Sequence, residues 1–356
     1  MNFSNILRSA TLCASLCGLS YSSDLGAAVP KVSILLGGLT EKEGGDPAGK
    51  HEVLNFPLGV DFDSAGNLLI VELSGGRVHR LTPEGRLSKI AGDGSKSYHG
   101  DGGLAAKATF NGMHNVAIAR DDTIYIADSW NHCIRRIDPQ TGIISTIAGT
   151  GEAGFSGDGG PATKATFNFV MCITLNMAED TIHVADLKNR RIRAVNLKSG
   201  IVTTVAGNGE RGVPKDGSIA IESPLVDPRA VASDSQGNIY VLERSGHSLR
   251  VVRLNGKIYT VVGTGKKGDT DGPALKAKLG SPKHICVDAE DNVYIADDSN
   301  ALIRKYDPRT KTVSTVLGRG KSKPALFLKR PHGVCIQNGE LVVVDTGNNR
   351  ILKLKK

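Results

Sequence analysis

A block of strand-like text recurs six times along the chain, and no other feature constrains folding as strongly. Each copy reads as an apolar strand, a turn containing Gly or Asn, a second apolar strand ending in an acid, and a basic third strand. The copies begin at Pro57, Met113, Val170, Pro228, Pro282 and Pro331. The first runs PLGVDFDSAGNLLIVELSGGRVHRL to Leu81, and the last is PHGVCIQNGELVVVDTGNNRILKL. In five copies a fourth strand follows, closed by Gly92, Gly149, Gly207, Gly263 and Gly318 at spacings of 57, 58, 56 and 55 residues. One repeat therefore equals one four-stranded antiparallel sheet, too small to bury its own apolar faces, so neighbouring copies must stack.

The sixth copy ends at Lys356 before its fourth strand, but Val32-Ser33-Ile34-Leu35-Leu36-Gly37 matches the fourth-strand text Val313-Ser314-Thr315-Val316-Leu317-Gly318. An N-terminal strand completing the last sheet closes a ring and leaves no unmatched inner edge. The expected fold is all-β: a six-bladed β-propeller of four-stranded antiparallel blades, closed by an N-terminal strand joining the last blade. The blades fall at about 57–92, 113–149, 170–207, 228–263, 282–318 and 331–356 plus 32–37, within a domain at 29–356. Forty-three glycines in 356 residues suit many tight turns, and the lack of a Gly-X-Y period excludes collagen.

Residues 1–28 read as a secretory signal: Arg8, the apolar and small run Ser9 to Leu19, then Gly26-Ala27-Ala28 before Val29-Pro30. A secreted or periplasmic location follows, and no downstream run is long and apolar enough for a transmembrane helix. Cys133, Cys172, Cys286 and Cys335 show no CxxC spacing and are expected as buried free thiols.

The texts IYIADSWNHCIRRI and VVVDTGNNRILKL, with Ala-Asp or Val-Asp, an Asn-containing turn and a basic strand, resemble NHL-repeat proteins. The stretch Gly149 to Asn168 is similar to blade-to-blade connections of bacterial extracytoplasmic members. That resemblance implies the propeller but no particular activity.

Polar side chains from all six copies can meet where the inner strands begin, at Leu58-Gly59, His114-Asn115, Met171-Cys172, Arg229-Ala230, Lys283-His284 and His332-Gly333. NHL-like amidating lyases hold zinc with inner-strand histidines. The resemblance makes His114, His284 and His332 candidate metal ligands, with His284 one residue out of step. An open three-histidine zinc would bring bound water toward neutral pKa. The Glu-Gly-Pro-x-Trp setting of gluconolactonase-like propellers is absent, Asn55-Phe56-Pro57-Leu58 standing in its place, and Asn115 is the one oxygen ligand at the right level.

The second strands end at Glu72, Asp128, Asp186, Glu243, Asp297 and Asp345. A residue recurring in every copy favours a turn-holding role. Glu72 and Glu243, longer and on opposite blades, are the candidate acid/base pair, with a compensated turn shape as the competing explanation. The loops around Asp101, Asp158, Asp216 and Asp271 read as caps of single helical turns. Net charge is +8, with the basic residues concentrated on third strands and expected toward blade exteriors.

Two functions emerge. The first is a binding module whose loop-bearing face takes an extracellular or periplasmic protein or an anionic glycan, through Asn115, Arg229 and Lys283, as a monomer and without nucleic acid. The alternative is a metal-dependent lyase or hydrolase at the channel mouth, with a divalent metal such as zinc as cofactor.

Overall fold

The second strand of every copy is apolar on both faces because it lies between two neighbouring sheets. In the computed structural model, which describes residues 31–38, 54–320 and 322–355, Leu68–Glu72, Ile124–Asp128, Ile239–Glu243 and Val293–Asp297 are buried along their whole length. Thr181–Asp186 and Glu340–Asp345 are buried after their first residue. Strand text that is continuous rather than alternating is the mark of this two-sided burial.

The strands form six antiparallel sheets in chain order, one per repeat. Blade 5 gains a fifth, two-residue strand, Gly272–Pro273, from the preceding loop. Lys31–Leu36 pairs antiparallel with Arg350–Lys355, Val32 opposite Leu354 and Ile34 opposite Leu352, so the two ends of the ring share one sheet. The expected leader lies outside the described residues.

Between blades, each connection drops one large apolar residue into the core three positions before the inner strand. These are Leu54, Phe110, Phe167, Leu225, Leu279 and Leu328, all buried. The four cysteines are free, three of them buried and Cys286 partly so.

The acids closing the second strands, Glu72 and Glu243 among them, are buried and engaged within their own blades. Every one accepts a hydrogen bond from a backbone N–H 16–18 residues upstream, at the end of the connection. The donors are Asn111 to Asp128 at 2.8 Å, Asn168 to Asp186 at 2.7 Å, Gly280 to Asp297 at 2.6 Å and Lys329 to Asp345 at 2.7 Å. Glu72 accepts from Asn55 at 2.6 Å, and Glu243 from Val226 at 2.5 Å. Five of the carboxylates then meet arginines from their own third strands, Arg135, Arg193, Arg250, Arg304 and Arg350, while in blade 1 the His79 Nε2 lies 3.3 Å from Glu72.

Those arginines are not on blade exteriors. Arg135, Arg193, Arg304 and Arg350 are fully buried, so much of the third-strand charge is internal. The loop aspartates clamp them from the other side, Asp101 on Arg135 at 2.7 Å, Asp158 on Arg193 at 2.7 Å and Asp271 on Arg304 at 2.6 Å. The short 3-10 turns that follow Asp101 and Asp158 have no side-chain cap, and Asp271 is followed by the strand Gly272–Pro273, so the expected capping role of these aspartates gives way to arginine pairing.

The two glutamates differ from the four aspartates for a reason of volume. Three residues after each Asp stands an Asn (Asn131, Asn189, Asn300, Asn348) whose amide donates to the carboxylate at 2.8 Å. Three residues after each Glu stands Gly75 or Gly246. A Cβ on Gly75 would lie 1.7 Å from Glu72 Oε2, and one on Gly246 would lie 2.9 Å from Glu243 Oε2. The longer carboxylate fills the space of the missing amide. Glu243→Asp and Gly246→Asn should each destabilise the protein by about 1–3 kcal/mol, the first by unpairing buried groups and the second by overpacking. The double variant should recover most of that loss in a denaturant double-mutant cycle. Additive losses would contradict the exchange.

Candidate functional site

A bulge begins every inner strand and turns one side chain toward the axis. The register slips between Pro57 and Gly59, Val170 and Cys172, Pro228 and Ala230, and Pro331 and Val334. In blade 2, His114 N donates to Ala127 O at 3.3 Å while Asn115 pairs with the same Ala127. In blade 5, Lys283 N donates to Ala296 O at 2.9 Å while His284 pairs with Ala296. Bulges of this kind re-aim side chains at sites where a sheet edge meets a ligand. The outer layer of the channel mouth is thus Leu58, His114, Met171, Arg229, Lys283 and His332. Asn115, Cys172 and His284 lie one residue deeper.

This offset separates the three histidines. His114 and His332 are neighbours, with ring centroids 6.1 Å apart. His284 instead meets the deeper layer: its Nε2 accepts from Asn115 Nδ2 at 2.9 Å, and Asn115 Oδ1 accepts from Ile173 N at 2.9 Å. Asn115 is therefore a brace between blades 2, 3 and 5. Cys172 Sγ also lies 3.7 Å from His284 Nε2. Burial pushes this thiol up to about 11 and the imidazole down to about 4, leaving a neutral pair without a nucleophilic thiolate.

The mouth does not suit zinc. A neutral imidazole has one lone pair to give a metal; that of His332 Nε2 accepts from Arg229 Nη2 at 2.7 Å, and that of His284 is taken by Asn115. His114 Nδ1 donates to Gly112 O at 2.7 Å, leaving only its Nε2 free. Among the described residues no group of three His, Cys, Asp or Glu side chains is arranged to hold a metal ion. The guanidinium against His332 adds repulsion. His114, His284 and His332, the candidate metal ligands, thus do not converge on one point among the described residues.

The mouth offers cations instead. Arg229 is 3% exposed, its Nε has no hydrogen-bond partner, and no carboxylate pairs with it among the described residues. Its neighbours carry their own counterions: Arg244 Nε meets Asp227 at 2.8 Å, and Lys283 Nζ meets Asp298 at 3.7 Å, with Arg330 Nε 4.0 Å from the same carboxylate. Four cations face two carboxylates. Burial first, then Arg244, pulls Arg229 down to about 10, so it stays charged at neutral pH. Burial first, then Arg229, pulls Lys283 down to about 8. His114 and His332 are held well below the ordinary histidine value by burial and by Arg229, so both are neutral at pH 7. His332 Nδ1, like Arg229 Nε, is buried without a partner.

Beneath Asn115 and His284 the channel widens into a cavity of about 390 Å³ running toward the opposite face, where Arg120 and Met177 lie. Asp61 lines it, accepting from Phe62 N and Ile118 N, and burial pushes its carboxyl up to about 6. Sequence reading missed Asp61, which takes in blade 1 the position of Ala117 and Ala232. Protein purified without chelator is expected to carry no stoichiometric zinc by elemental mass spectrometry. One zinc per chain, lost on substitution of His114 and His332, would contradict this geometry.

Comparison with known proteins agrees with the repeat structure. The family model described as NHL repeat matches residues 110–137 and 328–354. NHL repeat-containing protein 2 of Gallus gallus is 28% identical over 341 residues, covering 84% of this chain and 46% of its own length. The chain thus spans less than half of that relative. An auxiliary nutrient binding protein from Bacteroides thetaiotaomicron superposes with a TM-score of 0.63 at 14% identity, covering 91% of this chain and 76% of its own. Virginiamycin B lyase from Staphylococcus aureus superposes with a TM-score of 0.54 at 12% identity, covering 92% and 99%. At such identities the structural likeness concerns the fold alone. Six sheets closed by the N-terminal strand, with two copies matching the family model, make this chain a six-bladed β-propeller that carries NHL repeats.

Proposed function

We propose that this chain is a binding module that takes a small anion at the loop-bearing mouth of its channel, in the secreted or periplasmic setting suggested by its first 28 residues. The supporting observation is Arg229, a buried guanidinium with an unused donor and no paired carboxylate among the described residues. Desolvating an unpaired charge costs several kcal/mol unless something compensates it. A carboxylate or phosphate oxygen would accept from Arg229, and Lys283 on the adjacent blade would supply the second charge. His332 accepts from Arg229 and so fixes the plane of the guanidinium. Leu58 and Met171 give the same mouth an apolar sector, suited to an anion with a hydrocarbon part. The fold also serves an auxiliary nutrient binding protein, which fits a capture role.

Titration calorimetry with acetate, benzoate and phosphate in low-salt buffer tests the reading. Arg229→Ala should weaken the tightest of them by about 10–100-fold, because a charge-assisted hydrogen bond to a buried partner is worth about 1.5–3 kcal/mol. Affinity should fall with added salt. Equal affinity in wild type and Arg229→Ala would refute it.

The same site carries a pH dependence. An anion binds the protonated amine of Lys283, so affinity should be full below pH 7 and decline as pH rises through about 8. Lys283→Met should weaken binding and flatten that profile; a profile unchanged by this substitution would remove Lys283 from the site.

A further inference from the structure

We infer that a second binding site, for an acidic sugar, lies on the opposite face of the ring in a groove between blades 4 and 5. The six repeats provide an internal control, since residues that the fold requires recur and departures from them stand out. In the third strands, the position opposite the second residue of the strand pair is Arg80, Arg136, Lys305 and Lys353 in blades 1, 2, 5 and 6, with Ala194 in blade 3. Blade 4 has the short Val251, opposite Tyr240. The fourth-strand residue beside it is Ser88, Ser145, Thr203 and Ser314 in blades 1, 2, 3 and 5 and Ser33 in the closing strand, but Tyr259 in blade 4. Across the gap, blade 5 carries Tyr306 where the other third strands have Leu81, Ile137, Val195, Val252 and Leu354.

These departures converge on one cavity of about 570 Å³, lined by Tyr240, Tyr259, Tyr306, Val251, Arg253 and Lys311 among others. A short residue opens the space where other blades lay a Lys or Arg, and three tyrosines line it. That volume is within the range of about 300–1,000 Å³ common for small-ligand pockets. None of the three tyrosine hydroxyls has a protein hydrogen-bond partner among the described residues. The Arg253 guanidinium lies 4.8 Å from the Tyr259 ring centroid, and neither Arg253 nor Lys311 has a carboxylate partner among the described residues. The acids at the rim are committed: Asp234 to Asn238 at 2.8 Å, and Asp291 to the Ser235 hydroxyl at 2.8 Å.

The chemistry of the groove selects its occupant. Aromatic faces receive the C–H face of a sugar ring, free phenol hydroxyls exchange hydrogen bonds with its hydroxyls, and two unpaired cations at the rim receive an acidic substituent. A hydroxylated ring with a carboxylate, a uronic acid unit, satisfies all three.

The site is tested by calorimetry of the full chain with D-galacturonate, using galactose and benzoate as controls. Val251→Lys and Tyr259→Ser place in blade 4 the residues that blade 5 already carries, so both variants should retain the wild-type melting temperature. Galacturonate should bind wild type, and both variants should lose at least about 10-fold in affinity. Arg229→Ala, which disables the channel mouth, should leave this binding intact. Equal affinity for galactose, tighter binding of benzoate, loss with Arg229→Ala but not with Val251→Lys, or no binding up to about 10 mM would each overturn the assignment. Should Val251→Lys fail to fold, Tyr259→Ser alone decides.

Discussion

Each blade is tied together by a carboxylate that never reaches solvent. The acid at the end of the second strand accepts a backbone N–H from the arriving connection and meets a basic side chain from the third strand, an arginine in blades 2 to 6. In blades 2, 3 and 5 a loop aspartate holds that arginine from the other side. Buried pairs contribute little net stability against an apolar substitute, but removing one partner is costly. Their effect is therefore geometric. They fix where each connection enters its blade, and so where each inner strand starts. The rings of Phe110 and Phe167, which pack on Arg135 and Arg193 at 5.5 and 4.9 Å, tie the apolar core to the same clasp.

Once the connections are fixed, the bulges at the strand starts turn six residues to the axis, and here the repeats diverge. Nothing in the fold requires Leu58, His114, Met171, Arg229, Lys283 and His332 to differ, so their differences are free to serve a ligand. Two of the four polar ones are satisfied within the protein, His114 by Gly112 and Lys283 by Asp298, while Arg229 Nε and His332 Nδ1 are buried without a partner. Of these two Arg229 carries the charge, and its orphaned Nε separates a binding site from a plug of polar side chains. The groove between blades 4 and 5 follows the same logic on the other face, where Val251 stands in place of the Lys or Arg of four other blades, Tyr259 in place of Ser or Thr, and Tyr306 in place of an aliphatic residue.

The blade count and the closing strand were legible because strand text and turn glycines are local signals repeated six times. The free state of the cysteines was legible from their spacing. The histidines were harder. Their one-residue offset stood in the text, but its meaning depended on the bulge, which puts His114 and His332 in one layer and sends His284 to Asn115. The third-strand arginines misled for a similar reason. In a strand successive side chains alternate, so Arg135 is buried while Arg136 is partly exposed, and composition cannot tell them apart. The roles of Glu72 and Glu243 turned on Gly75 and Gly246. That covariation within the repeats is readable in principle, once the Asn at the same place in the other four blades is known to fill the space.

The central claim is that Arg229 is held unpaired for a ligand rather than for the fold. The most direct measurement is the melting temperature of Arg229→Met, with and without the anion that wild type binds. If the claim holds, the variant without ligand is at least as stable as wild type, because a desolvated charge has been replaced by an apolar side chain of similar length, and the anion no longer raises its melting temperature. A variant that melts lower than wild type yet is stabilised by the anion as much as before would contradict it.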